Sequence, residues 1–432
     1  MAALMALSLG GTVPAGFAQS TTRSIVRAED PAEAEGRATI AKAEAAMERK
    51  DFAGAVQICA DFLDKNPDNA AVHFQLGYAY TALGKSDDAE AEYRSAIELD
   101  PKMGPAYLNL GLTLLDSDPE EAVSSLKQAS ELMPGQPQPK YALGMALAHA
   151  GKDDAAIEQF HDALKLDERN FSAQFELART LLHARRFSEA ELEFHRAVDL
   201  QPNSGAAHLG LVQTLLAEKK SVDAATELER YLQTNPKDVE GRIERASILI
   251  DVGKNEEALA ELDRAATLRP ETASTLKMRS VIQFRLKNYD AALAALKQIG
   301  TASPNDPDVH ARIGHLLLEK KDYAGAAKEL AIAYRAEPSQ IEVLRDLLAA
   351  EYLGGNYPAA LEALDLLAKG ETLSNGSWFI RASCYDKLGK TQEALDAYRK
   401  FLELNAGQTN DQYFIAASRV RTLERELKEK KK

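Results

Sequence analysis

Proline recurs along the chain at a nearly fixed interval. The interval is 34 residues, with one exception of 33 and one of 68, and the 68 is two periods with Glu168 at the midpoint. An alanine stands twelve residues before each closing position, as Ala89 stands before Pro101. A period of this length indicates an array of stacked units, each too small to fold alone. The prolines that share this position are Pro67, Pro101, Pro134, Pro202, Pro236, Pro270, Pro304 and Pro338.

Each period reads as two amphipathic helices. In the second unit, apolar residues lie at helical spacing over 71–83, Gly84 interrupts the pattern, and a second helical stretch runs to Leu99 before the closing proline. Gly84 predicts a left-handed residue that ends the first helix, and Ser86 or the acids after it are expected to cap the second. The sequence therefore predicts an all-α fold made of helical hairpins.

Small residues occupy the positions where the two helices of a unit must approach closely. Gly144 is one example on a first helix, and Phe160 is a large residue at a facing position of the second. The packing of ridges into grooves requires a small residue on one helix to face a large residue on the other. The first-helix position is held by Gly77, Gly111, Gly144, Ala178, Ala246, Gly314 and Ala382.

The second unit shows the repeated pattern most completely. It has the run Leu76-Gly77-Tyr78-Ala79-Tyr80, followed in register by Ala89, Tyr93, Ala96 and Pro101. This pattern resembles the tetratricopeptide repeat family, and the resemblance covers residues 36–406. It implies an all-α, right-handed α-solenoid superhelix of about eleven hairpins followed by a C-terminal capping helix. The expected units are 36–69, 70–103, 104–136, 137–170, 171–204, 205–238, 239–272, 273–306, 307–340, 341–374 and 375–406.

The N-terminal residues differ in kind from the array. Residues 1–18 carry no charge, include an apolar stretch and end in Gly16-Phe17-Ala18, which resembles a secretory signal peptide, although the basic start is missing. We therefore expect an exported protein, periplasmic or secreted, with a cytoplasmic protein as the alternative if residues 1–18 are not a signal. Residues 19–35 read as a polar linker.

Residues 407–432 are expected to form a capping helix and a basic tail. Apolar residues recur at helical spacing within 411–427, and a terminal helix with one polar face shields the last repeat of an array from solvent. The residues expected to face inward are Phe414, Ile415, Val420, Leu423 and Leu427.

Composition and charge exclude several classes of protein. The chain has 432 residues, of which 45% are hydrophobic, enough for a continuous core. Its 66 acidic and 52 basic residues give a formal net charge of −14, which disfavours binding to nucleic acid. No later segment approaches the roughly 18 to 20 apolar residues that a membrane span needs. Cys59 and Cys384 lie in the first and last units, too far apart for an intrachain disulfide.

The sequence contains no motif of a known catalytic class. The stretch 79–86 fits a relaxed nucleotide-binding pattern, but it lacks the first glycine and lies in a helix rather than after a strand. His149 and His183 share a repeat position, as do His161 and His195, and one repeat is too far for two imidazoles to bind one metal ion. We expect no catalytic residue, metal, cofactor or small-molecule substrate.

The family resemblance implies a non-catalytic scaffold or adaptor that binds a protein or peptide segment in the concave groove. Two alternatives stay open: a structural, self-associating assembly protein, and an accessory subunit of an enzyme complex. The groove is implied to consist of exposed positions on the first helix of each hairpin, namely Phe74, Tyr78, Tyr141, Met145, His149, Phe175, Arg179, His183, Gln213, Lys277, Arg285, Arg345 and Tyr352.

Four of these residues are the leading candidates. Exposed aromatic side chains and arginine are the residue types that anchor interfaces, which favours Tyr78, Tyr141, Phe175 and Arg179. For Phe74 and Phe175 the alternative is that the ring packs against a neighbouring helix.

Overall fold

A computed structural model describes residues 31–406 and 410–430 of the chain. Within these ranges every regular element is an α-helix, which confirms the predicted all-α fold. The predicted signal peptide, residues 19–30 of the predicted linker and the two lysines that end the basic tail lie outside the described residues. No helix of the described ranges combines the length and the apolar character that a membrane span requires.

The chain divides after Asn235 into two compact units, which we call unit 1 and unit 2. The described part of unit 1 consists of six antiparallel hairpins, and each helix packs against the next along the chain. The helices are α1 Pro31–Glu48, α2 Phe52–Leu63, α3 Ala70–Ala82, α4 Ser86–Leu99, α5 Gly104–Thr113, α6 Pro119–Leu132, α7 Pro137–His149, α8 Asp153–Leu166, α9 Phe171–His183, α10 Phe187–Leu200, α11 Gly205–Ala217 and α12 Ser221–Thr234.

Unit 2 contains five further hairpins and a final helix. Its helices are α13 Val239–Asp251, α14 Asn255–Leu268, α15 Ala273–Arg285, α16 Tyr289–Ala302, α17 Pro307–Glu319, α18 Tyr323–Ala336, α19 Ile341–Leu353, α20 Tyr357–Gly370, α21 Asn375–Lys387, α22 Thr391–Leu404 and α23 Asp411–Lys430. The predicted eleven hairpins and C-terminal helix are therefore confirmed. The first helix begins at Pro31, so the last five residues assigned to the linker are helical.

A short turn joins the two helices of each hairpin, as residues 83–85 join α3 to α4. Gly84 adopts φ +72°, as predicted, and the Lys85 N–H donates to the Tyr80 carbonyl, which closes α3. The predicted cap on α4 is wrong. Ser86 is already the first helical residue, so the N-cap position falls on Lys85, whose side chain makes no capping hydrogen bond. Where glycine is absent, the same left-handed position is held by Lys50, Arg185, Lys219, Lys287 and Lys321.

Close approach of the two helices in a hairpin is set by a glycine under a large side chain. A Cβ atom placed on Gly144 would lie 2.7 Å from the ring of Phe160, and one on Gly77 would lie 2.8 Å from the ring of Tyr93. Both rings are fully buried. The predicted packing of small against large residues is present in these hairpins, and it leaves no space for even one methyl group.

The two cysteines lie in separate core clusters. Cys59 is buried in the cluster formed by α1, α2 and α3, and Cys384 is buried in the cluster around α19, α20 and α21. Neither forms a disulfide within the described residues. Burial raises the pKa of the Cys59 thiol to about 12, with a smaller contribution from Glu92, and burial raises the pKa of Cys384 to about 11.

The terminal helix α23 covers the last hairpin with one face only. Ala416 and Leu423 are buried against the core of α21 and α22, and Val420 and Leu427 pack beside them. The inward orientation predicted for Phe414 and Ile415 is wrong, because these side chains are 60% and 50% exposed. Phe414 precedes Leu423 by nine residues, which at 100° per residue places it about 180° away, on the solvent side.

Replacing Gly144 by Ala should destabilise the protein by about 1–3 kcal/mol, because the new methyl group overlaps the buried Phe160 ring. The matched control is Gly135→Ala, where no heavy atom lies within 4 Å of the added Cβ. Urea unfolding followed by circular dichroism measures both variants. Equal stability of Gly144→Ala and Gly135→Ala would contradict this account of the packing.

Candidate interaction surface

The first helices of successive hairpins touch one another and form a layer in unit 1. Contacts join α1 to α3, α3 to α5, α5 to α7, α7 to α9 and α9 to α11. We call this set of helices the first-helix layer. The predicted binding residues of unit 1 lie on these helices, so neighbouring candidates are brought onto adjacent elements of one layer.

Three of the predicted aromatic residues pack inside their own hairpins. The ring centroid of Phe74 lies 5.9 Å from that of Tyr93, Tyr141 lies 6.1 Å from Phe160, and Phe175 lies 6.0 Å from Phe194. In each pair the partner is nineteen residues further along the chain, on the second helix. Phe74 and Phe175 are half-buried. Their rings therefore pack against a neighbouring helix, which was the alternative to an exposed position.

The predicted exposure of Tyr141 is wrong. Its side chain is buried, with 7% of its surface exposed, and burial raises the pKa of its hydroxyl to about 12. Tyr141 holds the position of Phe74 and Phe175 in its own repeat, and that position faces the second helix rather than solvent. It holds the hairpin together and is not available as a surface anchor.

A second position, four residues further along each first helix, stays accessible. Tyr78 and Met145 are half-buried there, and Arg179 and Gln213 are exposed. Leu112, which the sequence analysis did not select, holds the same position on α5 and is half-buried. We call these five residues the surface row. The row is apolar on α3, α5 and α7 and polar on α9 and α11.

Charged groups next to the surface row are paired locally. Arg179 lies 2.6 Å from Glu176, three residues before it on the same helix. His183 lies 2.7 Å from Asp153 of the preceding hairpin, whereas His149 is exposed. Burial raises the pKa of Glu176 even though Arg179 lowers it. His149 and His183 share a repeat position, but of the two only His183 is seen beside a carboxylate, that of Asp153, in the described residues.

The predicted cations of unit 2 are engaged in bonds, two of them between neighbouring hairpins. Lys277 pairs with Asp308 at 2.7 Å, which raises the pKa of the lysine despite partial desolvation. Arg285 donates to the Ile250 carbonyl at 2.6 Å. The Tyr352 hydroxyl makes a similar link, 3.1 Å from Ser383 Oγ, whereas Arg345 pairs with Glu371 at 2.8 Å within one hairpin. These contacts weaken the case for the four side chains as binding residues.

A repeated polar contact, missed by the sequence analysis, fixes the first helices. His310 Nδ1 lies 2.6 Å from the carboxylate of Glu329 on the second helix, and Nε2 lies 3.0 Å from the Pro304 carbonyl. We call this arrangement the polar clamp. A detectable signal is a polar residue six positions after the proline with Glu nineteen positions later. The other clamps are His73 with Glu92 and Pro67, His208 with Glu227 and Pro202, and Arg242 with Glu261 and Pro236.

The clamp geometry favours a protonated imidazole. Carboxylate and carbonyl oxygens only accept hydrogen bonds, so a histidine that donates to both must carry a proton on each ring nitrogen. Burial alone would lower the pKa of His310, but its bonds to Glu329 and Pro304 outweigh burial and raise it. The bond to Glu92 likewise raises the pKa of His73, against partial burial.

A cleft of about 840 Å³ in unit 1 offers a second place for a ligand, between α8 and α10. Its charges neutralise one another in part. Arg196 pairs with Glu193 at 2.9 Å, and Arg186 lies 3.5 Å from Asp154. In the described ranges no group of three or more His, Cys, Asp or Glu residues is arranged to hold a metal ion.

His310→Arg should reduce the pH dependence of stability, because arginine can make the clamp, as Arg242 does, without titrating. A histidine with a raised pKa stabilises the folded state fully below about pH 6.5, and the effect is lost as pH rises through the folded-state value. Between pH 6 and pH 9 the free energy of unfolding of the wild type should therefore fall more than that of the variant, by on the order of 1 kcal/mol.

The control for this measurement is His195→Arg, which replaces an exposed histidine. Its midpoint should follow the wild-type pH profile. Parallel profiles for wild type and His310→Arg would show that folding does not raise the pKa of His310.

Comparison with known proteins identifies the repeat. Three family profiles, each described as a tetratricopeptide repeat, match the chain. One matches residues 46–112, 181–242 and 283–350, a second matches 108–173, 141–204 and 243–307, and a third matches 376–408. Together they cover most of the eleven hairpins.

Individual relatives match only parts of the chain. It is 35% identical over 107 residues to Protein CTR9 homolog of Arabidopsis thaliana and 28% identical over 106 residues to Lipoprotein NlpI homolog of Haemophilus influenzae. Each match covers 24% of this chain, but 10% and 34% of those relatives' lengths. A solved structure, the C-terminal part of a TPR repeat-containing protein from Cytophaga hutchinsonii, is similar at TM-score 0.50 and 14% identity, over 55% of this chain and 98% of that one.

Proposed function

Because this chain belongs to the tetratricopeptide repeat family, we propose that it is a non-catalytic scaffold that binds a protein or peptide segment across the surface row of unit 1. The observation that carries the proposal is the row itself. Its five residues occupy equivalent positions on successive first helices and stay at least partly accessible, whereas the aromatic residues four positions earlier pack inside the hairpins.

The spacing of the row suits an extended segment. Packed helices lie about 8–10 Å apart, whereas side chains on one face of an extended chain recur every 6–7 Å. A bound segment in the polyproline II conformation, with three residues per turn and a rise of about 3.1 Å per residue, would instead present a side chain to successive helices every third residue. The row also predicts the chemistry of the bound segment. That segment should present apolar side chains to Tyr78 and Met145 and polar or acidic groups to Arg179.

Arg179→Ala should weaken capture of the partner by about tenfold if the surface row binds it, because an interface arginine is a frequent anchor. Arg196→Ala is a closely matched control. Both arginines pair with a glutamate three residues earlier, and their side chains are 57% and 56% exposed, but Arg196 lies on a second helix and lines the cleft. A photoreactive residue replacing Met145 would crosslink the partner for quantification.

The pattern of losses distinguishes the possible sites. Loss of crosslinking with Arg179→Ala and retention with Arg196→Ala supports the surface row. The opposite pattern would move the binding site to the cleft. If the crosslinked species is a second copy of the chain, the protein is a self-associating assembly rather than an adaptor.

We further propose that the protein acts in the cell envelope. The support is the apolar, uncharged stretch of residues 1–18, and one relative of the array is named a lipoprotein. Intact mass of the protein from a fractionated native host should show a mature chain starting at Gln19 in the periplasm. Leu7→Asp should block this export, since it places a charge in the apolar stretch. A full-length chain in the cytoplasm would contradict the proposal.

A further inference from the structure

The outward face of α23 presents a stripe of cations next to an exposed aromatic ring. Phe414, Ser418, Arg421, Arg425 and Lys428 are all exposed. At 100° per residue they lie within about 40° of the direction opposite the buried Leu423. We call these five residues the α23 stripe. It runs for about 21 Å along the helix, given a rise of 1.5 Å per residue.

Ion pairs on α23 leave the stripe unneutralised. Arg419 on the inner flank binds Asp386 of the last hairpin at 2.6 Å, and Glu424 binds Arg399 at 2.7 Å. For Arg421, Arg425 and Lys428, by contrast, no carboxylate of the described residues lies within ion-pair distance. Elsewhere most cations near the first helices are paired, as Lys277 and Arg345 are. The stripe therefore concentrates three unpaired positive charges on a chain whose formal net charge is −14.

The remaining surface of α23 restricts what can cover this face. A helix that lies on a membrane inserts its apolar side, but the apolar side of α23 is already packed against α21 and α22. Only Phe414 and Ile415 remain to enter a lipid layer. An aromatic ring beside spaced cations instead matches an acidic polypeptide that brings one apolar side chain.

We propose that the α23 stripe is a docking surface for an acidic segment of a protein partner. Carboxylates of that segment pair with Arg421, Arg425 and Lys428, and an apolar residue covers Phe414 and Ile415. The stripe length fits a helical segment of about fourteen residues. This surface shares no residue with the surface row.

Fluorescence anisotropy with a labelled synthetic helix tests the proposal. The probe has about fourteen residues, with Glu at i, i+4 and i+7 on one face and a Leu at the end that would meet Phe414. The full-length protein should bind it more weakly as salt rises. The double variant Arg421→Glu, Arg425→Glu should bind at least about tenfold more weakly, and Phe414→Ser should also lose affinity.

The control is Lys328→Glu, Arg335→Glu, which makes the same charge change at two exposed positions of α18 in the same unit. It should bind like the wild type. The neutral double variant Arg421→Gln, Arg425→Gln replaces the charge reversal if that variant fails to fold by circular dichroism.

Four results would overturn the proposal. Equal loss of binding in the α18 control would show non-specific attraction, and unchanged binding in both α23 double variants would place the probe elsewhere. The third is binding of the wild type to phosphatidylserine vesicles, but not to the probe, with that binding lost in the α23 double variants. Concentration-dependent dimers that the α23 double variants abolish, without probe binding, would assign the stripe to a second copy of the chain.

Discussion

In four hairpins a large side chain of the second helix lies directly on a glycine of the first, at Gly77, Gly111, Gly144 and Gly314. This contact fixes how closely the two helices approach, as Phe160 on Gly144 and Tyr93 on Gly77 show. Aromatic residues such as Phe175 then fill the space beside it, and the polar clamp ties the first helix to the loop before it. The surface row is what remains accessible after these requirements are met.

The period, the hairpin turns and the number of hairpins could be predicted because they follow from local chemistry. Glycine at a left-handed turn and proline at a helix boundary are signals that tertiary packing does not change, as Gly84 and Pro101 illustrate. The side chains available for binding were harder to predict. Tyr141 and Tyr78 both belong to amphipathic first helices, and only their contacts with a second helix show that one is buried and the other partly exposed.

A further error arose because residue type does not fix the orientation of a side chain. Phe414 and Ile415 were assigned inward because they are apolar, although their positions relative to Leu423 place one opposite the buried face and the other at its side. The family resemblance placed the cations of unit 2 on the groove, and the structure shows that Lys277 and Arg285 also bond to neighbouring hairpins. Pairing between residues distant in sequence is therefore the information that one sequence does not contain.

The buried thiols provide one chemical reporter in unit 1 and one in unit 2. Cys59 lies in the first hairpin and Cys384 in the last, and with pKa values raised to about 12 and about 11 almost no thiolate exists at neutral pH in the closed state. An alkylating reagent can therefore react only when a terminal hairpin opens. Peptide mapping of the two alkylated cysteines would measure the opening rates of the first and last hairpins in a single unlabelled sample. It would also reveal which of the two hairpins opens first.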